Sequence, residues 1–539
     1  MLRNREGGLM ARVISVAAMM LVALCAYAGQ PRVIIEKRFT VPSGEAFTVN
    51  LKLEKGEYIR GHLKSKAAIE AAFMNQEGLV RHVAGTGDKE AWIYFAAPAP
   101  GDYRLVVRAA NPVDEVQLDL ETVPLLTASA VRTPEMMSPF IQRAHEALIN
   151  GKSADEVWNR LIASGTPVIE SAEDLPDGQL EPMQRLVTFL WRGAKDRVLL
   201  FGGPGYEHDP LFRLANTDIW FRSYVMPDDT RMSYLLAPDV PQVDGSAREQ
   251  RVAILATAQR DPENPDYWSP TGSSDIYSVR SVLELENAPS DHLLAGQGAV
   301  TEPFRFQLHS ERLGNTRNVA IWVPEGVGVA GDGRVPLAIF FDGDDYLSKV
   351  PAPRILDHLI RAGDIPPVVA VFVSNPDRRA RNSELPCNED FADFMALELL
   401  PFVSDRTGFS FSGGTTLLAG ASFGGLAAAC TAFRYPDQFG LVLSQSGSFW
   451  WSPPEDERPE WLNERFVESP RLPLHFYLSA GRFETDFGES GILNANRQLE
   501  QILRVKGYPV RLEEFSAGHD YFHWRATLGR GLVYLLGTL

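Results

Sequence analysis

The chain has 539 residues, enough for three or four domains at roughly 150 residues each. Apolar residues make up 45% and charged residues 22%, which excludes a largely disordered chain. Lys and Arg number 52 against 69 Asp and Glu, a net charge of −17, which excludes a general nucleic-acid binder, whose basic surface must displace counterions from phosphates. Three cysteines are too few for a disulfide framework or a structural zinc site.

Arg3, Arg5 and Arg12, an apolar run over residues 13–24 and the small-x-small step Ala26-Tyr27-Ala28 predict a cleavable signal peptide over residues 1–28. The product is then expected to be periplasmic or secreted. No later stretch is apolar for long enough to span a bilayer, so no stable membrane insertion is expected. Cys25 leaves with the signal, and Cys387 and Cys430 are read as two buried free thiols rather than a pair.

Residues 30–125 predict a β-sandwich accessory module. Phe47 to Leu53 alternates with period two, as does Trp92-Ile93-Tyr94-Phe95, and glycines and prolines mark the turns. Residues 126–180 predict a helical connector, with Phe140, Ala144, Leu148, Val157, Leu161 and Ile162 at helical spacing. Residues 181–290 return to short β-like runs and predict a second β-sandwich. Residues 300–539 alternate short, fully apolar runs such as Pro336 to Phe341 and Val368 to Val373 with helical stretches. That pattern predicts a mainly parallel sheet covered by helices on both faces.

The chemistry is expected in this last domain. Gly420-Ala421-Ser422-Phe423-Gly424-Gly425 follows a strand and opens a helix, the context of the G-x-S-x-G nucleophile elbow of an α/β-hydrolase. A serine at its free pKa needs a base, and in this fold an acid and then a histidine follow it in the chain. Three histidines follow Ser422. His475 lies inside a strand run and is read as a core residue. His519 follows the flexible Ser516-Ala517-Gly518 and is the expected base, with His523 in reserve. Glu484 is the first choice of acid in Gly481-Arg482-Phe483-Glu484-Thr485-Asp486, and Asp486 the second. The oxyanion hole is expected from the Phe423 N–H and from Gly343 or Asp344 after the Phe340-Phe341 run.

Several blocks together resemble the enterochelin (enterobactin) esterases, the siderophore-hydrolase branch of the esterase-D-like α/β-hydrolases. They are Phe341-Asp342-Gly343, Arg381 to Asn388 (R-N-S-E-L-P-C-N), the elbow, Ser444 to Trp451 (S-Q-S-G-S-F-W-W) and Gly518-His519-Asp520 followed by Trp524. The resemblance covers roughly residues 180–539 and implies hydrolysis of the trilactone esters of a ferric catecholate siderophore. It implies Ser422 as nucleophile and His519 as base, with Glu484 near the acidic position. It implies no organic cofactor and no protein-bound metal, since the iron belongs to the small-molecule substrate. Arg381 and Trp524 fall in its blocks and join the expected substrate contacts. So do Arg378, in the tight arginine cluster with Arg379, and Trp450 and Trp451, because a bulky trianion needs a basic mouth and guanidinium and indole planes stack on catechol rings. An exported carboxylesterase acting on feruloyl or acetyl polysaccharide esters and a non-catalytic siderophore- or glycan-binding protein are the alternative readings.

Overall fold

The computed structural model describes residues 32–537 except 43–44, 110, 126–135, 177, 206–207, 271, 273–274, 296–299, 326, 328–334, 457 and 486–490. The expected signal peptide therefore lies outside the described residues, as does Asp486. Among the described residues no helix is long and apolar enough to cross a membrane.

The N-terminal module is one antiparallel six-stranded sheet folded around its own core. Its long strand Tyr58–Asn75 pairs with Val113–Val123 along its first half and with Gly101–Arg108 along its second. Irregular register after Lys64 marks the bend that lets one strand serve both layers. Alternation sends Ile59, Leu63, Ile93 and Phe95 inward. The module packs directly on the next domain. Tyr58, Ala96 and Val123 share an apolar cluster with Leu235, Ala237 and Ala256. The Arg81 guanidinium crosses this junction and donates to the carbonyls of Leu255 at 2.8 Å and Ala256 at 3.0 Å.

The second β domain is a sandwich of two four-stranded sheets, and the helices Pro139–Ile149 and Ala154–Leu161 pack through Ile141, Trp158 and Leu161 onto Leu190, Ile219 and Phe221. This sandwich also grips the C-terminal domain. The Arg231 N–H donates to the Ser516 carbonyl at 3.1 Å, and the Ser233 N–H to Asp520 Oδ2 at 2.6 Å.

The C-terminal domain holds an eight-stranded sheet: β1 (Phe304–Ser310), β2 (Asn315–Trp322), β3 (Leu337–Phe341), β4 (Val369–Val373), β5 (Thr416–Ala421), β6 (Leu441–Gln445), β7 (His475–Gly481) and β8 (Val510–Phe515). Their order is β1-β2-β4-β3-β5-β6-β7-β8, antiparallel at β1-β2-β4 and parallel beyond. The continuous apolar runs are explained by burial on both sides. Leu337, Ile339 and Phe341 of β3 enter one core and Ala338 and Phe340 the other. The loops after β3, β5, β7 and β8 leave from the same edge, and these loops carry the site.

The reading of Cys387 and Cys430 as free thiols is corrected: they form a disulfide, with their Cα atoms 5.2 Å apart. Cys430 sits in the helix that follows the elbow, and Cys387 ends the R-N-S-E-L-P-C segment, adjacency that spacing along the chain did not reveal.

Candidate active site

Ser422 links β5 to helix α3 (Phe423–Arg434; numbering the helices that frame the site in chain order, α1 is Gly343–Ser348, α2 Arg378–Glu384 and α4 Tyr521–Leu536). Its backbone is held at φ 57°, ψ −124°, a region costly for a residue with a Cβ, about 1–3 kcal/mol. The surrounding glycines make that turn possible. A Cβ on Gly420 would lie 2.4 Å from the Gly424 carbonyl carbon, and one on Gly425 2.4 Å from Ser444 Oγ. Neighbouring hydrogen bonds hold the strain. Ser422 N–H donates to the Gln445 carbonyl at 3.0 Å, and its own carbonyl accepts from Ser448 N–H at 3.1 Å and Leu426 N–H at 3.1 Å. Ser448 Oγ stands 3.4 Å from Ser422 Oγ.

The structure brings His519 and Glu484 together: His519 Nδ1 lies 2.6 Å from Glu484 Oε1. Glu484 is 1% exposed, and its second oxygen accepts the Gly481 N–H at 2.7 Å. The loops after β7 and β8 are zipped together, with Arg482 N–H on the Phe515 carbonyl at 2.7 Å and Phe483 N–H on the Ala517 carbonyl at 3.1 Å. Trp524 meets the His519 ring edge-on at 4.8 Å. Asp520, the next residue, caps α4 through Phe522 N–H at 3.0 Å while its other oxygen takes the Ser233 N–H. A short carboxylate bond to Nδ1 fixes the tautomer in which Nε2 can accept a proton.

Asp342 sits in the left-handed region at φ 51°, and Gly343 and Asp344 then open α1, whose first amides have no acceptor inside the helix. The loop lies against the elbow: a Cβ on Gly424 would stand 3.2 Å from Asp342 Oδ2. Gly343 is required, since a Cβ there would lie 2.6 Å from the Val373 nitrogen. Phe423 opens α3 in the same way. The Asp342 carboxylate would oppose a developing oxyanion, but it is neutralised. Arg381 grips it bidentately at 2.7 and 2.8 Å, and Asn375 Nδ2 donates to it at 2.6 Å. Burial pulls the Arg381 pKa down, and the hydrogen bonds and charge of Asp342 outweigh it, so the value is raised.

Arg381, an expected substrate contact, has its Nε and Nη2 committed to Asp342, so its fork holds the loop that opens α1. Trp524 is likewise buried, 3% exposed, with its indole N–H on Ser446 Oγ at 3.0 Å, and it backs the imidazole rather than facing a ligand. Trp450 and Trp451 are half-buried against the core, Trp450 near Phe423 and Trp451 edge-on to Trp461. Arg378 and Arg379 are exposed beside the oxyanion loop and make no ion pair among the described residues. His475 begins β7, at the opposite end from the elbow. The reserve base His523 is enclosed against Phe515, and burial pushes its pKa down to about 3. Three supports escaped the sequence reading. Gln445 bridges Tyr346 and the Trp524 carbonyl, Asn496 holds the Gly447 carbonyl, and Glu384 forms a buried ion pair with Arg317.

A serine on a strained turn, an imidazole with its far nitrogen anchored on a buried carboxylate, and two helix openings beside them are the parts of an acyl-transfer site. Comparison with known proteins agrees. The family model "Enterochelin esterase, N-terminal" matches residues 186–293, and the Esterase family model matches residues 310–535. The Iron(III) enterobactin esterase of Dickeya dadantii is 30% identical over 435 residues, covering 72% of this chain and 94% of that protein. Its namesake from Escherichia coli is 33% identical over 377 residues, covering 65% of this chain and 90% of that protein. The crystal structure of the enterobactin esterase from Shigella flexneri in the presence of enterobactin is 29% identical with a TM-score of 0.56, covering 71% of this chain and 98% of that one.

Glu484→Gln preserves volume and an acceptor for Gly481 but removes the charge beside His519. The expected result is a fall in kcat of about 10²–10⁴-fold with KM little changed and an unaltered circular dichroism spectrum. A second expectation concerns acid stability. Folded His523 takes a proton only near pH 3, whereas the unfolded chain binds it near 6.5, so its contribution is complete above pH 6.5 and is lost as pH falls toward 3. Thermal melts of the parent should therefore lose more stability between pH 6.5 and 4 than those of His523→Gln.

Proposed function

The chain belongs to the enterochelin esterase family, and on that footing we propose that it hydrolyses the ester bonds in the trilactone of a ferric catecholate siderophore such as enterobactin, which weakens the ligand's hold on the iron. The observation that carries the reading is the 2.6 Å contact of His519 Nδ1 with the buried Glu484 carboxylate, at the sheet edge where Ser422 is held on its turn. His519 Nε2 takes the Ser422 hydroxyl proton as Oγ attacks a seryl ester carbonyl. The oxyanion is met by the amides of Phe423 and of Gly343 or Asp344. Glu484 stabilises the imidazolium without taking its proton. His519 then protonates the departing seryl hydroxyl, and water activated by the same ring frees the acyl group. Iron stays with the substrate throughout.

We place the enzyme outside the cytoplasm. The signal-like segment at residues 1–28 supports this, and so does the Cys387–Cys430 disulfide, a bond that persists in oxidising compartments. Cell fractionation with intact-mass measurement checks it: the mature chain should start after Ala28 and leave with the periplasmic or secreted fraction. A full-length cytoplasmic chain contradicts it.

Chromatography of purified protein with ferric enterobactin tests the activity. Linear trimer, dimer and monomer should accumulate, feruloyl sugars should remain intact, and Ser422→Ala should lose at least about a thousandfold in rate. Turnover of feruloyl sugars alone would instead favour a polysaccharide esterase, and product formation undiminished in Ser422→Ala would remove the serine from the mechanism.

A further inference from the structure

Both family matches lie C-terminal of the N-terminal module, yet that module forms half of a large cleft. The cleft measures 2260 Å³, beyond the roughly 300–1,000 Å³ of ordinary small-molecule pockets. Neither Ser422 nor His519 lines it. It ends against Asp344 and Arg381, and the Arg381 guanidinium lies 5.9 Å from the Phe423 ring, next to Ser422. The cleft therefore reaches the loop that opens α1.

The far wall is built by strand alternation. While Ile59, Leu63, Ile93 and Phe95 fill the module's core, the opposite face of the paired strands Tyr58–Asn75 and Gly78–Ala96 presents Arg60 beside Tyr94, His62 beside Trp92 and Lys64 beside Glu90. Trp92 is 53% exposed, although the core has no use for it on this face. It stacks on His62 at 4.3 Å and runs parallel to Tyr94 at 6.5 Å, an aromatic strip open to the cleft. Glu90 is tied to His62 at 2.6 Å and Glu121 to Arg60, whereas Lys64 and Lys89 on this wall and Arg378 and Arg379 opposite make no ion pair among the described residues. Tyr94 is close enough to feel the Arg378 charge, which works against the rise that burial gives its pKa. The wall is fixed in place by the Arg81 bonds and the shared apolar cluster at the domain junction.

We propose that the N-terminal module is the second wall of the substrate site: Trp92, with His62 and Tyr94, stacks on an anionic aryl arm of the ligand while Lys64, Lys89, Arg378 and Arg379 balance its charge. The inference rests on the siderophore reading and deepens it. With one seryl ester of the trilactone at Ser422, the iron-bound tris-catecholate head of the ligand faces the cleft and turns the outer face of one ring toward Trp92. The module thereby sets selectivity for the intact trimer over small esters, and it is remote from bond breaking.

Steady-state kinetics of the full-length protein with ferric enterobactin test this, beside calorimetric titration of the same complex into the Ser422→Ala background. Trp92→Ala should raise KM and Kd roughly three- to tenfold with kcat within about twofold, and Trp92→Phe should recover most of the loss. The preference for ferric enterobactin over p-nitrophenyl butyrate, as a ratio of kcat/KM values, should fall by a similar factor. KM and Kd equal to the parent's in a folded Trp92→Ala protein would overturn the proposal and leave the esterase reading standing. If the parent binds ferric enterobactin without cleaving it, the esterase reading fails and the Kd comparison still decides the wall. If the parent does not bind it, both fail.

Discussion

An imidazole takes a proton from a serine efficiently when its other nitrogen is held, and the contact between His519 and the buried Glu484 can do that holding. Much of the C-terminal domain's far edge exists to keep the pair in register. Glu484 is fixed by the Gly481 amide, its loop is zipped to the loop of His519, and Trp524 closes one side of the ring. The second β domain enters the same arrangement: amides of Arg231 and Ser233 grip the residues on either side of Gly518-His519. The β-sandwich thus helps to hold the segment that carries His519.

The other half of the site is organised around Asp342. A carboxylate beside a forming oxyanion is a liability unless it is paired, and Arg381 and Asn375 pair it. The segment that supplies Arg381 also buries Glu384 against Arg317 and ends in Cys387, bonded to Cys430 in the helix behind Ser422. One stretch of about seven residues therefore fastens the Asp342 loop at one end and the elbow helix at the other. Its charges look like a ligand-binding motif in the sequence, yet most of them work inward.

The parallel sheet, the elbow and the order serine, acid, histidine were legible because each is written in local pattern: apolar runs, glycines that a tight turn demands, and strand-end loops. Glu484 was legible only by position in that order, and the structure adds the contact that distinguishes it as the residue on His519. Arg381 and Trp524 gave no hint in the sequence of the partners the structure gives them, Asp342 and Ser446, because those are distant in the chain and a side chain's direction is decided by what folds beside it. The disulfide failed for the same reason, since 43 residues of separation say nothing about adjacency. Period-two alternation located Trp92 on a strand, but only the docking of three domains shows that its outward face lines the same cleft as Arg378 and Arg379.

The account turns on Ser422 being made nucleophilic by His519. The most direct measurement is reaction of the purified protein with a fluorophosphonate, followed by peptide mass mapping and by labelling rates in the parent and in His519→Ala. The account predicts a single adduct on Ser422 and a rate at least about a hundredfold lower without the imidazole. An adduct at another serine, or equal rates in the two proteins, would contradict it.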